Sequence, residues 1–263
     1  MRVVLAYFVT GFGLLFLLQT IYAQRFGGDF SVLLHVEETS LLRPFISKDL
    51  EGHLTIGTRH DGQVNYAIAR RPLGDPEIHP LIAPAGFRYR RWLYPLLAGG
   101  LGTFSPTATL WGLILLASGG AGAATAALGL LAERYGLSPL VVLTVLCHPG
   151  VWVACQILTG DTVALALALW GVVAWLEART AATFVLFALA GLTKEVYLFV
   201  PFGLMLHELA ARRFRDALVL ALTPLPILAW ATSFALRFPD PGTFTAWGDL
   251  ALPFVGLWRA VQV

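Results

Sequence analysis

The chain has 263 residues, of which 57% are hydrophobic and only 13% are charged, and its mean hydropathy is +0.72. Soluble globular proteins carry about 25% charged residues, so the composition argues against a water-soluble domain and against a disordered chain. The formal net charge of +2 is too small for a nucleic-acid-binding protein, and no nucleic-acid partner is expected. The sequence therefore predicts an all-α polytopic membrane protein, with residues 1–263 forming a single transmembrane domain.

Uncharged apolar runs follow one another along the chain, and a spanning helix needs roughly 20 such residues. The first run, Val3 to Ala23, is longer than the apolar part of a signal peptide, so we expect it to be retained as a helix. The uncharged run from Trp92 to Ala132 is divided by glycine and proline into a short interfacial helix and a second span. The predicted helical segments cover residues 3–23, 92–101, 107–132, 138–157, 161–177, 180–193, 195–210 and 216–236.

Two features modify this series of spans. The segment at 138–157 is interrupted by His148-Pro149-Gly150, because proline removes a backbone donor. Another apolar stretch begins at Ala251, which is consistent with an incomplete eighth span or with a fragment of a longer protein. We expect about 7–8 transmembrane helices, with a large loop, residues 24–91, between the first two.

The charges of the short loops predict the orientation. Lys194-Glu195 could lie inside one overlong helix or in the turn of a hairpin between two short helices. The hairpin leaves only Lys194 and Arg237 in the short loops of one side. The positive-inside rule then makes the other side cytoplasmic, because it holds Arg2, Arg134, Arg179, Arg212, Arg213 and Arg215. We therefore expect a multi-pass protein of the plasma (inner) membrane whose loop 24–91 is extracytoplasmic.

The loop 24–91 holds 17 of the 34 charged residues of the chain, and it is where an active site is expected. Its middle, residues 59–70, reads RHDGQVNYAIAR, and residues 86–98, which continue from its end, read GFRYRRWLYPLLA. Apolar residues at helical spacing predict a short amphipathic helix that starts just after Asp61 and includes Val64, Ala67 and Ile68. Aromatic rings with polar tips suit the lipid headgroup layer, and this is expected of Tyr89, Trp92 and Tyr94.

These motifs resemble the first external loop of GT-C membrane glycosyltransferases. More narrowly, they resemble bacterial cell-surface glycopolymer proteins that are distantly related to the second mannosyltransferase of GPI-anchor synthesis. Residues 61–66, DGQVNY, are similar to the family's DGQ–aromatic–tyrosine element, and residues 87–97, FRYRRWLYPLL, to its YRYQR-x-x-YPLL element. Residues 188–198, ALAGLTKEVYL, are similar to the family's LT-basic-E helix junction.

The resemblance implies a GT-C-like fold and an inverting hexosyltransferase that serves cell-envelope glycopolymer assembly among membrane lipids. Its donor would be a sugar on a polyprenyl phosphate, and its acceptor a glycan or glycolipid. Asp61 would be the catalytic general base, since a positioned carboxylate can accept the proton of the attacking hydroxyl. Arginine suits the departing phosphate, because its fork of donors matches an oxyanion. The candidate substrate-binding residues are Gln63, Tyr66, Arg88, Arg90, Arg91, Tyr94, Lys194 and Glu195.

Each of these candidate residues could instead serve the fold or the membrane anchoring of the loop and have no part in catalysis or substrate binding. Asp61 could be the N-cap of the helix that follows it, and the arginines could anchor the loop among lipid headgroups. Lys194 and Glu195 could neutralise each other at a tight turn. Asp161 is interpreted first as a helix N-cap, with contact to the site, as a second acidic group on the same external side, as the alternative. His148 is interpreted as a packing residue.

No cofactor and no protein-held metal are predicted, because the chain has neither an Asp-x-Asp pair nor an HExxH motif. Asp61 could still share a divalent cation with the substrate. Two other functions fit the sequence: a transporter or flippase subunit for a lipid-linked substrate, and a non-catalytic membrane scaffold. Only catalysis requires a base at Asp61, and a transporter should carry more polar residues along its spans.

Overall fold

A computed structural model describes residues 2–82, 85–101 and 105–238 of the protein. Within these residues the fold is all helical, without β-strands, and a single isolated bridge joins Val36 to Ile56. The α-helices are α1 (Arg2–Gln24), α2 (Arg43–Asp49), α3 (Asp61–Arg70), α4 (Ala85–Arg88), α5 (Leu93–Leu101), α6 (Pro106–Arg134), α7 (Leu143–Leu146), α8 (Pro149–Gln156), α9 (Asp161–Leu176), α10 (Thr180–Thr193), α11 (Phe199–Ala210), α12 (Phe214–Ala221) and α13 (Leu225–Arg237). Short 3-10 helices lie at Phe30–Leu34, His79–Leu81, Pro139–Val142 and Glu195–Leu198.

Three helical segments of the described residues are long and apolar enough to cross a membrane, namely α1, α6 and the pair α12–α13. The bent pair over Pro139–Leu146 and Pro149–Gln156 is a fourth if it forms one broken span. Helices α9 and α10 have 16 and 14 residues. At about 1.5 Å per residue both are shorter than a hydrocarbon core of about 30 Å. The all-helical fold is thus confirmed, while the larger number of spans stays a prediction, and the stretch at Ala251 lies outside the described residues.

The helical segments are broken at prolines. The interruption predicted at residues 148–150 is confirmed, since the helices on either side of it are bent by 50°. His148 is an exposed N-cap of α8 whose Nδ1 accepts the Gly150 N–H at 3.1 Å, so its interpretation as a packing residue is wrong. The segment predicted over residues 216–236 is divided into α12 and α13 just before Leu225. Pro224 has no N–H with which to continue α12.

Helices α1 and α6 pack antiparallel through small residues. An added Cβ on Gly11 would lie 2.9 Å from the Gly122 Cα, and the Tyr7 ring covers Gly129 so closely that a side chain there would overlap it. Such close backbone contact is how helices associate in lipid, where the hydrophobic effect does not drive them together. The small-residue stretch of α6 therefore forms the centre of the bundle.

A buried polar network fixes the broken helix α8 to its neighbours. Gln19 of α1 donates to the Cys155 carbonyl at 2.7 Å and accepts from the Ser118 hydroxyl at 2.6 Å. The Thr162 hydroxyl donates to the Ala117 carbonyl at 2.8 Å. Since polar groups in hydrocarbon must be satisfied within the protein, these bonds join α1, α6, α8 and α9 in one arrangement.

The loop between α1 and α5 is folded onto the bundle and is itself cross-linked. The Asp29 carboxylate accepts hydrogen bonds from Ser31 and Thr55. Burial acts to raise the pKa of Asp29, but these hydrogen bonds outweigh it and hold that pKa below its ordinary value. Asp49 of α2 pairs with Arg70 of α3 at 2.7 Å.

Helix α3 begins at Asp61, so the predicted helix is confirmed. Its buried residues include the polar Gln63 as well as Tyr66 and Ile68, because the loop covers one side of it and α5 the other.

The headgroup position expected for two aromatic residues is wrong. Tyr89 and Tyr94 are fully buried.

The turns between the helices lie at two ends of the bundle. The Lys194-Glu195 turn separates α10 from α11. It lies at the end where the loop 24–91 sits, because Glu195 pairs with Arg91. At the opposite end, which we call the basic end, the Arg134 guanidinium donates to the Leu176 carbonyl at 3.0 Å. The turn between α9 and α10 and the turn between α11 and α12 also lie at the basic end.

Candidate functional site

The start of α3 holds Asp61 against the bundle. The preceding His60 is extended (φ −144°, ψ 177°) and occupies the N-cap position. An added Cβ on Gly62 would lie 2.8–2.9 Å from carbonyl oxygens of the first 3-10 helix and of Ile157, an approach that only glycine permits. The interpretation of Asp61 as an N-cap is therefore wrong. Its side chain is 34% exposed and is available to other partners.

Asp61 forms an ion pair with Arg88 at the end of α4, because the chain between them folds back onto α3. The second oxygen of Asp61 lies 4.0 Å from Arg91 Nη1. The Nε atom of Arg88 is buried and has no hydrogen-bond partner among the described residues. Arg88 therefore holds Asp61 through Nη1, while its Nε is enclosed by the protein.

Arg91 connects this pair to the turn after α10. Its Nε and Nη2 donate to both oxygens of Glu195, at 3.2 and 3.1 Å, which is the bidentate geometry that arginine favours. Burial acts to raise the pKa of Glu195, but the hydrogen bonds and charge of Arg91, with the charge of Arg90, hold that pKa below its ordinary value. Glu195 is thus ionised at neutral pH and fixes the Arg91 guanidinium.

A second acidic residue lies beside this group. Asp161, the first residue of α9, forms an ion pair with Lys194 and accepts the Thr159 hydroxyl at 2.7 Å. Gly160 is the N-cap, and an added Cβ there would lie 2.9 Å from the Thr193 side chain, so α9 starts against the end of α10. The N-cap interpretation of Asp161 is therefore wrong. The interpretation of Lys194 and Glu195 as mutually neutralising is also wrong, since each pairs with another residue.

We call these six side chains the charge cluster: Asp61, Arg88, Arg91, Asp161, Lys194 and Glu195. They come from α3, α4, the residues just before α5, the start of α9 and the turn after α10. The cluster contains three carboxylates and three cations, each half-buried. It lies at one end of the bundle, at the boundary between the folded loop and the helices.

Three cavities meet at the charge cluster. A polar pocket of about 340 Å³ is lined by Ser40, His60, Asp61, Gln63 and Arg88. A much smaller cavity of about 20 Å³ lies between Asp61, Arg88, Arg91, Asp161 and Lys194. A mainly apolar groove of about 380 Å³ has Asp161 and Tyr197 at its edge and is otherwise lined by Val145, Val151 and Leu165 among others. The small cavity thus shares Asp61 and Arg88 with the polar pocket and Asp161 with the apolar groove.

The residues predicted to bind substrate divide into two groups. Arg88, Arg91, Lys194 and Glu195 are brought together in the cluster, and Gln63 lines the polar pocket with its oxygen accepting from Ser40. Tyr94 also lines the small cavity between the charged residues.

The other predicted residues have different surroundings. Tyr66 is buried, and its hydroxyl donates a hydrogen bond to Asp49 Oδ2 at 3.2 Å. The buried Tyr94 hydroxyl donates to the Leu113 carbonyl at 2.8 Å. Both hydroxyls are thus occupied inside the protein, while the substrate-binding role of the two tyrosines stays a prediction. Arg90 lies over the Phe87 ring at 5.0 Å and outside the ion pairs of the cluster.

The sequence favours a helix N-cap for Asp161, and the structure instead supports the alternative, in which it belongs to the site. The signal was present, since Thr159-Gly160-Asp161 begins a helix at the end where the loop folds. Among the described residues, no three His, Cys, Asp or Glu side chains are placed to hold a metal ion.

Comparisons of the chain with protein-family models, with curated proteins and with solved structures find no match.

Proposed function

We propose that the protein is a membrane glycosyltransferase that moves a sugar from a polyprenyl-phosphate donor to a glycan or glycolipid acceptor in cell-envelope glycopolymer assembly. The charge cluster carries the proposal, because it sets the Asp61 carboxylate beside two arginines and a lysine. Transfer from a lipid phosphate needs cations near the departing phosphate and a base near the acceptor hydroxyl. Both kinds of group occur in this one cluster.

The cavities around the cluster support a lipid-linked donor. The prenyl chain of the donor fits the apolar groove beside Asp161, and its phosphate then reaches Lys194 and the arginines. The acceptor, which is rich in hydroxyl groups, fits the polar pocket beside Asp61. This arrangement brings donor and acceptor to the cluster from opposite sides.

In the proposed reaction, the acceptor hydroxyl oxygen attacks the anomeric carbon from the face opposite the phosphate, which inverts the configuration. The bond between that carbon and the phosphate oxygen breaks, and the phosphate leaves with the electron pair. Asp61 takes the hydroxyl proton. Arg88 and Arg91 neutralise the charge that the phosphate gains.

The test of this function is an assay of the purified full chain, reconstituted in lipid vesicles, with a panel of radiolabelled polyprenyl-phosphate sugars and glycolipid acceptors. We expect label to pass from at least one donor to an acceptor. Movement of an unchanged lipid-linked sugar across the bilayer would contradict the proposal and favour a transporter. Donor binding without transfer or movement would favour a scaffold.

We further propose that the charge cluster faces the extracytoplasmic side of the plasma (inner) membrane, and that the basic end is cytoplasmic. The support is the positive-inside rule, since Arg134, Arg179 and Arg213 all lie at the basic end. Single cysteines at Glu77→Cys in the loop and Arg215→Cys at the basic end, in a chain with Cys147 and Cys155 replaced, should differ in labelling. An impermeant thiol reagent added to intact cells should label only the loop cysteine. Equal labelling of both would contradict this orientation.

A further inference from the structure

Phe87, the third residue of α4, lies among positive charges. The guanidinium carbons of Arg88, Arg90 and Arg91 are 5.9, 5.0 and 4.6 Å from the centre of its ring. A cation within about 6 Å of the centre of an aromatic ring is attracted by the electron-rich face of that ring. One ring therefore contacts three arginines at the edge of the charge cluster.

The aromatic residues that follow Phe87 have different partners. Tyr89 stacks on Phe234 of α13 at 4.3 Å, and Trp92 stacks on Trp230 of the same helix at 4.3 Å. Phe87 is half-buried, and it is not among the residues that pack against the hydrophobic core of the described chain. The arginine contacts, and not the core, therefore account for an aromatic side chain at this position.

Arg90 differs from the two arginines beside it. Arg88 pairs with Asp61, and Arg91 pairs with Glu195. The Arg90 side chain forms no ion pair or hydrogen bond with any residue of the described chain, and none of its nitrogens is enclosed. The carboxylates and cations of the charge cluster balance, so Arg90 adds positive charge in excess. Its charge acts on the cluster, because it helps to lower the pKa of Glu195.

An aromatic ring suits a cation that has to bind an anion. A carboxylate partner neutralises a guanidinium and occupies its N–H groups. A ring attracts the guanidinium but leaves its charge and most of its five N–H donors available. Phe87 can therefore fix the place of Arg90 without using the groups that an anion needs.

We propose that Phe87 is a positioning residue, and that it holds Arg90 in place to bind the phosphate of the lipid-linked donor. This inference rests on the proposed function, because that function supplies the phosphate as the anion. Arg90 then binds the phosphate before transfer, while Arg88 and Arg91 act on the charge that the phosphate gains during transfer.

The test measures binding without sugar transfer. The purified full chain in detergent is titrated in a calorimeter with farnesyl phosphate, a short prenyl phosphate without a sugar, and with farnesol, which lacks the phosphate. Phe87→Leu keeps an apolar side chain but has no aromatic face. It should weaken farnesyl phosphate binding about 3- to 30-fold, the range of cation–π contacts from exposed to desolvated sites. Phe87→Trp keeps the face and should bind at least as tightly as the unchanged protein. Farnesol binding should be the same in all three proteins.

Two further variants complete the design. The matched control is Phe45→Leu, because Phe45 is a half-buried aromatic residue of the same loop that packs against the hydrophobic core. Its farnesyl phosphate binding should equal that of the unchanged protein. Arg90→Gln should weaken this binding, and Phe87→Leu should add little to the loss in a doubly substituted chain, because the effects of residues in contact are not additive.

Four results would overturn the assignment: no farnesyl phosphate binding by the unchanged protein, equal weakening by Phe87→Leu and Phe87→Trp, an equal loss of farnesol binding, or additive losses in the doubly substituted chain. The proposed function is tested separately by the transfer assay. Binding that depends on Phe87, in a protein that transfers no sugar, would support the phosphate site and contradict only the glycosyl transfer.

Discussion

Replacement of Asp61 by asparagine should lower the rate of sugar transfer about 100- to 10,000-fold, which is the usual contribution of a general base. Asparagine has nearly the same shape as aspartate and can still accept a hydrogen bond from Arg88, but it cannot take the hydroxyl proton. A purely structural role predicts a much smaller change. Partly exposed ion pairs contribute about 0–1 kcal/mol to stability, and their loss does not act on the chemical step.

The experiment compares Asp61→Asn with Glu38→Gln, which changes a carboxylate of the same loop that is 79% exposed. Transfer rate, donor binding and thermal unfolding should be measured for both proteins. We expect both to fold and to bind the donor, with only Asp61→Asn losing turnover. Near-normal turnover in Asp61→Asn would leave this residue as an ion-pair partner of Arg88 and would return the transporter and scaffold functions to consideration.

Replacement of Arg88 by lysine should lower turnover roughly 10- to 150-fold, which corresponds to one lost hydrogen bond to a charged group. Lysine keeps the positive charge but presents a compact ammonium in place of a planar fork. It cannot hold Asp61 and present a second nitrogen of a planar guanidinium to the phosphate at the same time. If the arginine only anchors the loop among headgroups, the charge alone is sufficient and lysine should serve as well.

The matched control for this second variant is Arg43→Lys, which changes an arginine of the same loop that pairs with Glu38 and lies outside the charge cluster. Donor affinity and turnover should be measured separately, because the phosphate gains its charge during transfer. We expect turnover to fall more than affinity in Arg88→Lys and neither to change in Arg43→Lys. Full turnover in Arg88→Lys would favour headgroup anchoring.

The helices of the bundle could be predicted from sequence because apolar run length and the positions of proline are local properties. α1 and α6 follow from uncharged runs, and the break before Pro149 follows from a missing backbone donor. By contrast, whether an aromatic side chain is buried depends on parts of the chain that are distant in sequence. Tyr89 and Tyr94 are of a residue type that is common in the headgroup layer. They are nevertheless buried, because other parts of the fold cover them.

The candidate site could be predicted only in part for the same reason. Asp61 and the arginines were found because the motif around them is continuous in sequence. The pairing of Asp161 with Lys194 depends on the start of α9 lying against the end of α10, which Gly160 permits by having no side chain. No periodicity in the sequence encodes which helix ends are neighbours, so Asp161 was interpreted as a cap.

The spacing of the cluster along the chain has a consequence for biosynthesis. Arg91 and its partner Glu195 are 104 residues apart, and proteins generally fold from the N-terminus while they are made. Asp61, Arg88 and Arg91 are therefore synthesised long before Lys194 and Glu195 leave the ribosome. Until the turn after α10 has been made, Arg91 lacks its partner Glu195, so the charge cluster should form only late in translation.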